Sequence, residues 1–278
     1  MLSLLKHELF SRWGAVLGWG IALALFAVMY IAIYPQLSAQ LDSFRALFDL
    51  PMYRAFGMEI TSFEGFIASM VIQFIPIMLA IYVIMSSTET LAGEEDKGTL
   101  ELVVAMPLKR WHIVLVKATA LAIVTLLILT IAGVGGAIAL VAIKTSLVVD
   151  LTAMQLFLGI LSAWPITLAV LMIGLFFSAC CPNQRSAAMA TTTIYVVSYF
   201  VESLAALVES LDTVKAFSVF SYFDSTAALF TEGIRAGDVA VLLATAAFFL
   251  VLALISFERR DITVGQWPWQ RAKSGQKN

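Results

Sequence analysis

Charge is scarce in this chain. Asp, Glu, Lys and Arg make up 13% of its 278 residues, about half the share a water-soluble domain uses to cover itself, so a soluble globular fold is excluded. The only cysteines, Cys180 and Cys181, are adjacent, which fits neither a spaced disulfide framework nor a CxxC metal or redox site. Only two histidines occur, His7 and His112, far apart in sequence, leaving metal chemistry little to work with. No GxxxxGK[ST], HExxH or GxSxG is present, so the chain is expected to cradle no nucleotide phosphates, to hold no metal and to be no enzyme. With a net charge of −2 it has no basic surface for nucleic acid. The apolar run beginning at Gly14 lacks a small-residue cleavage pattern and reads as a retained first span. No internal repeat is visible.

What the chain has is grease. Hydrophobic residues reach 61%, in runs far longer than the roughly 10 residues of a barrel strand, so lipid-facing backbone must be satisfied within helices. Six stretches can cross a hydrocarbon core: 14–34, 66–86, 112–143, 156–179, 187–208 and 239–257. The expectation is an all-α membrane protein, one transmembrane domain over 1–278, with outer loops at 35–65 and 209–238. The third stretch exceeds what a span needs, so tilt is expected. Of the 17 Lys and Arg residues, twelve fall on one side: Lys6 and Arg12, then Lys97, Lys109, Arg110 and Lys117, then Arg185, then five after the last span. That side is predicted to be cytoplasmic and to hold both termini. Arg12, Trp13 and Trp111 sit where headgroup anchors belong. The N-terminal LSLLKHELFSRW spaces Leu2, Leu5, Leu9 and Trp13 at helical intervals and predicts a short amphipathic helix lying in the interface.

One passage breaks the pattern. GEEDKGTLELVVAMPLKR, residues 93–110, sets four carboxylates and three cations between the second and third spans. Gly93 and Gly98 punctuate it, Thr99 can cap a helix, and Pro107 marks where that helix must have ended. LELVVA then gives about two turns, with Leu100, Val103 and Val104 on one face. Two readings stand: a docking helix for a soluble partner, or a solvated hinge. Residues 89–117, ETLAGEEDKGTLELVVAMPLKRWHIVLVK, resemble the signature of ABC type-2 export permeases: a Glu-rich turn, Gly-Thr-Leu-Glu, a short helix, a Pro, a basic residue and a Lys entering the next span. The six-span layout, the interfacial N-terminal helix and the long final outer loop resemble that family as well. The resemblance implies a permease half whose loop, 88–111, carries a coupling helix seated on an ATP-binding cassette subunit. Glu94, Glu95, Gly98, Thr99, Leu100 and Glu101 would form the docking surface, and Arg110 and Lys117 would anchor the third span. ATP and Mg would belong to the partner, with no cofactor in this chain. A homodimer or a related second half would complete the pathway in a cell membrane, that of a prokaryotic cytoplasm. Residue chemistry alone also accounts for Lys117, about one and a half turns into its span, as an ammonium reaching back to the headgroups.

A pathway needs polar groups inside the bilayer. Thr191, Tyr195, Ser198 and Glu202 recur at i, i+4, i+7 and i+11 of the fifth span, one polar stripe on an apolar helix. The stripe either bonds helix to helix or lines a route. Ser69 and Gln73 form a weaker pair in the second span, just before Pro76. Pro76 and Pro165 bend their helices as hinges or as static kinks. Gly14/Gly18, Gly133/Ala137 and Gly174/Ser178 have small-xxx-small spacing, suited to packing within one subunit or at a dimer seam. Competing classes are a membrane-embedded lipid-processing enzyme, which would need convergent catalytic residues, and a channel or scaffold.

Overall fold

A computed structural model describes residues 2–48, 62–98, 109–144, 149–205, 212–226 and 228–259. All regular structure among them is helical. Helix α1 (Leu2–Ser11) breaks at Arg12 and is followed by α2 (Trp13–Phe48), which continues through Pro35. The first span was expected to end at residue 34, but no helix-stopping glycine or cap intervenes, and Pro35 only forfeits one hydrogen bond.

Helix α3 (Phe63–Asp96) runs ten residues past the expected end of the second span. It is interrupted twice by π-helical turns, Ala68–Ile72 and Glu89–Gly93. The first has a local cause. Pro76 brings no N–H and crowds the carbonyl of Ile72, so the preceding turn widens until Gln73 N donates to Ala68 O at 3.0 Å. Because α3 carries on to Asp96, residues 88–96 of the expected loop are helix rather than loop. The LELVVA segment, including Thr99, Leu100 and Glu101, lies outside the described residues.

Helix α4 (Arg110–Ile143) matches the third expected span. The fourth is two helices, α5 (Ala153–Leu161) and α6 (Trp164–Cys180). Pro165 occupies the first turn of α6, where its missing N–H costs nothing, so it starts a helix instead of bending one. Thr152 and Gln155 form a capping box that starts α5. Helices α7 (Gln184–Ala205) and α8 (Ala236–Arg259) follow, separated by short turns at Asp212–Lys215, Val219–Tyr222 and Ala228–Thr231.

Five of these segments are long and apolar enough to cross a membrane: Trp13–Ser38, Phe63–Asp96, Arg110–Ile143, Ala153–Cys180 and Ala236–Arg259. Helix α7 has 22 residues, about 33 Å of helix, but Thr191, Thr192, Thr193, Ser198, Glu202 and Ser203 dilute its apolar content. The spanning windows of α3 and α5–α6 are each 67% buried against 17% for α8, so α3 and α6 form the centre and α2, α4 and α8 pack around them. The outer helices turn Leu17, Ile21 and Leu25, or Phe248, Val251 and Ile255, away from the core. Close approach is bought with small residues: a Cβ on Gly135 of α4 would stand 2.6 Å from Ala24 Cβ of α2. Gly133 packs on Phe157 and Gly174 on Ser87, whereas Gly14 and Gly18 meet nothing within 4 Å inside the subunit.

Candidate functional site

The end of α3 that enters the charged passage is held by four other elements. Lys117, one and a half turns into α4, is 2% exposed. Its ammonium hydrogen-bonds Glu94 of α3 and lies 3.1 Å from Glu8 Oε1 of α1. Arg12 Nε sits 3.6 Å from the other oxygen of Glu8. Two cations thus face two carboxylates in a site largely closed to water, where each charge is tolerated because the others are present. Lys117, expected to reach the headgroups, ends in this cluster instead. Two residues on from Glu94, Asp96 Oδ2 accepts the backbone N–H of Gln184 at 2.8 Å, at the first turn of α7, where a carboxylate also meets the positive end of the helix dipole.

Beneath these charges the second π-turn is bonded to α6. Ser178 Oγ accepts from Leu91 N at 3.1 Å and Ala92 N at 3.0 Å and donates to Thr88 O at 2.8 Å. Gly93 lies inside this turn, so close to Gln184 that a Cβ would stand 2.9 Å from its Oε1. Lys97 pairs with Glu89, and that carboxylate raises the ammonium above its ordinary range. Gly98 closes α3 at φ 68°, a left-handed conformation that spares Gly the Cβ penalty, with its N–H on Glu95 O at 2.9 Å. Glu95 is 5% exposed. Arg110 opens α4, followed by a half-buried Trp111, while Trp13 is 44% exposed beside α1.

The polar stripe of α7 faces into the subunit, starting beside Gly174 and running away from the junction. Thr191, Tyr195 and Ser198 are buried. Thr191 bonds back to Ala187 O at 2.8 Å, and Tyr195 donates to Pro76 O of α3 at 3.1 Å, fastening α7 to the helix just past the first π-turn. Ser69 is buried in that turn and Gln73 ends it, half-buried. Ser198 O accepts from Ser218 Oγ at 2.8 Å. Glu202 lies 3.3 Å from Lys215 Nζ and accepts the Ser221 hydroxyl. Phe220, in the turn Val219–Tyr222, packs edge-on to Tyr195 and Tyr199 with ring centroids 5.1 and 5.3 Å away. The opposite face of α7 is apolar and exposed, with Met189, Val197, Phe200 and Leu204. Tyr195→Phe is expected to cost about 1 kcal/mol by withdrawing the bond to Pro76, read as a fall of about 2–4 °C in the Tm of the detergent-solubilised chain.

Sequence reading singled out Glu94 and Lys117 but missed Glu8, Asp96, Ser178 and Gln184, which complete the junction. Glu8 lies 109 positions before Lys117, and no local spacing joins them. Among the described residues no group of three or more His, Cys, Asp or Glu could hold a metal. The arrangement is mechanical: a charged connection and a hydroxyl clamp join the start of the loop to α1, α4, α6 and α7. Residues 2–262 match the family described as ABC-2 family transporter protein.

The chain belongs to that family.

A search among curated proteins finds no match. ABC-2 proteins are the membrane subunits of ATP-binding cassette transporters, so this chain is a multi-pass membrane transport subunit, and the family associates with ABC ATPases.

Proposed function

We propose that the chain is one half of an ABC exporter, a six-span permease that pairs with a second half, most simply another copy, and is driven by two separate ATPase subunits that bind ATP and Mg. The loop after Gly98 faces the cytoplasm and carries the coupling helix. Nucleotide-driven movement of the ATPases pulls that helix, and the permease halves alternate between inward and outward exposure in the cytoplasmic membrane of a prokaryote. The observation that carries this reading is the ion cluster of Lys117 with Glu94 and Glu8. A pull on the loop at Glu94 reaches α4 and α1 at once, because separating any member strands a charge in a site largely closed to water. Gly14 and Gly18, open on the outside of α2, offer a surface for close approach of a second copy.

The test is capture of the tagged full chain from its own membranes. A P-loop ATPase should co-purify and hydrolyse ATP. Glu101→Arg should weaken that association at least tenfold while Tm moves little, and Gly98→Val, which strains a left-handed turn, should weaken it as much with a fall of a few °C in Tm. Recovery of the chain without any nucleotide hydrolase would overturn the proposal.

A further inference from the structure

The second π-turn has no proline to explain it. Residues 89–93 lie well past Pro76, and the next proline is Pro107. The wide turn is held from outside, by Ser178. One hydroxyl accepts from two backbone N–H groups and donates to a third residue's carbonyl, the full complement of a serine oxygen. Ser178 is completely buried, so no water substitutes for it. Around it the packing leaves no slack: a Cβ on Gly174, one turn earlier on α6, would fall 2.1 Å from Ser87 Oγ, and one on Gly93 would fall 2.9 Å from Gln184.

A π-turn is an α-helix with one extra residue. If the turn relaxed to α without losing that residue, everything after it would rotate by about 100° and advance about 1.5 Å relative to the body of α3. The contacts of Glu94 with Lys117 and of Asp96 with Gln184 N, beyond the turn, would then break together. The spare residue therefore stores two registers for the end of α3, and the hydroxyl selects one.

We propose that Ser178 is a positioning residue for coupling: it holds the turn Glu89–Gly93 in its π register in the present state, and nucleotide-driven movement of the loop releases it into the α register. This rests on the permease reading above, and its test is built so that the two fail separately.

The first measurement uses the full chain alone in nanodiscs. Ser178→Ala should lower Tm by about 4–8 °C, since two buried donors lose their acceptor. In a chain with Ala92 deleted the turn has no spare residue and satisfies itself as an α-helix, with both flanks left in place, so Ser178→Ala should there change Tm by less than about 1 °C. Equal losses in both backgrounds would overturn the clamp. The second uses the complex with the co-purifying ATPase, carrying Lys97→Cys and Arg185→Cys in a Cys180→Ala, Cys181→Ala background. A short bismaleimide should join the two introduced cysteines without nucleotide and lose most of its yield with a non-hydrolysable ATP analogue. The Ala92-deleted complex should bind the ATPase equally well yet keep its cross-link with the analogue. A deleted complex that responds as the parent does would overturn the register change. A chain that recruits no ATPase would overturn the permease reading and with it the coupling role, while the Tm comparison would still report on the clamp.

Discussion

Lys117→Met is expected to destabilise the chain by about 3 kcal/mol, the low end of the range for removing one member of a buried ion pair. Glu8 and Glu94 would then face each other across the space the ammonium filled, with Arg12 3.6 Å from Glu8. The low end applies because Glu94 keeps 24% side-chain exposure and Glu8 13%, so water reaches part of each carboxylate. The check is reversible unfolding in mixed micelles. Adding Glu94→Gln to Lys117→Met should restore most of the loss, since one cation and one carboxylate are then removed together and Glu8 keeps Arg12. This double variant separates the two roles of the cluster. If the cluster only fills space, the nucleotide-driven loss of the cross-link between positions 97 and 185 should persist in the stable double variant. If it transmits the pull of the loop, the variant should fold, bind its ATPase and fail to respond to nucleotide.

Those three residues also show what a sequence can and cannot reveal. Composition alone required helices, and the apolar runs place α4 and α8 within a few residues of where they are found. The end of α3 was hidden because acids such as Glu94, Glu95 and Asp96 look like loop, although acids are acceptable helix formers when Lys117 and the start of α7 receive them. The split of the fourth span was hidden because a proline reads alike whether it bends a helix or begins one. Lys117 looked like a headgroup anchor because depth along a span can be counted, while a partner 109 residues upstream cannot. In α7, spacing assembled Thr191, Tyr195 and Ser198 on one face, and that face is buried. Periodicity fixes a face but not the direction it looks, which depends on α3 and the turn at Ser218–Tyr222 closing over it. The small-xxx-small pairs are alike in sequence and opposite in use: Gly174 is filled by Ser87, while Gly14 and Gly18 stand open.

That difference makes Gly174→Ala the second large effect, with Gly14→Ala as its control. The new methyl would stand 2.1 Å from Ser87 Oγ and 3.0 Å from Ser87 Cβ. Rotating the Ser87 hydroxyl, now 3.3 Å from Ile84 O, relieves the first contact but not the second, because Cβ is fixed to the backbone. The central helices α3 and α6 must therefore part, and overpacking of this kind costs about 2–3 kcal/mol. Ser87→Gly in the same chain removes both offending atoms and should recover most of the loss, which a generic helix-propensity effect would not allow. Gly14→Ala meets open space within the subunit and should leave the stability of the monomeric chain unchanged or raise it slightly, since Ala is the better helix former by about 1 kcal/mol. Thermal unfolding of the four chains decides the matter. The separation also reaches the coupling end, because Gly174 is one turn from Ser178. Widening the α3–α6 gap there lengthens the bonds to Leu91 and Ala92. Gly174→Ala should consequently speed amide exchange over residues 89–93 more than over 74–84, and Ser87→Gly should slow it again.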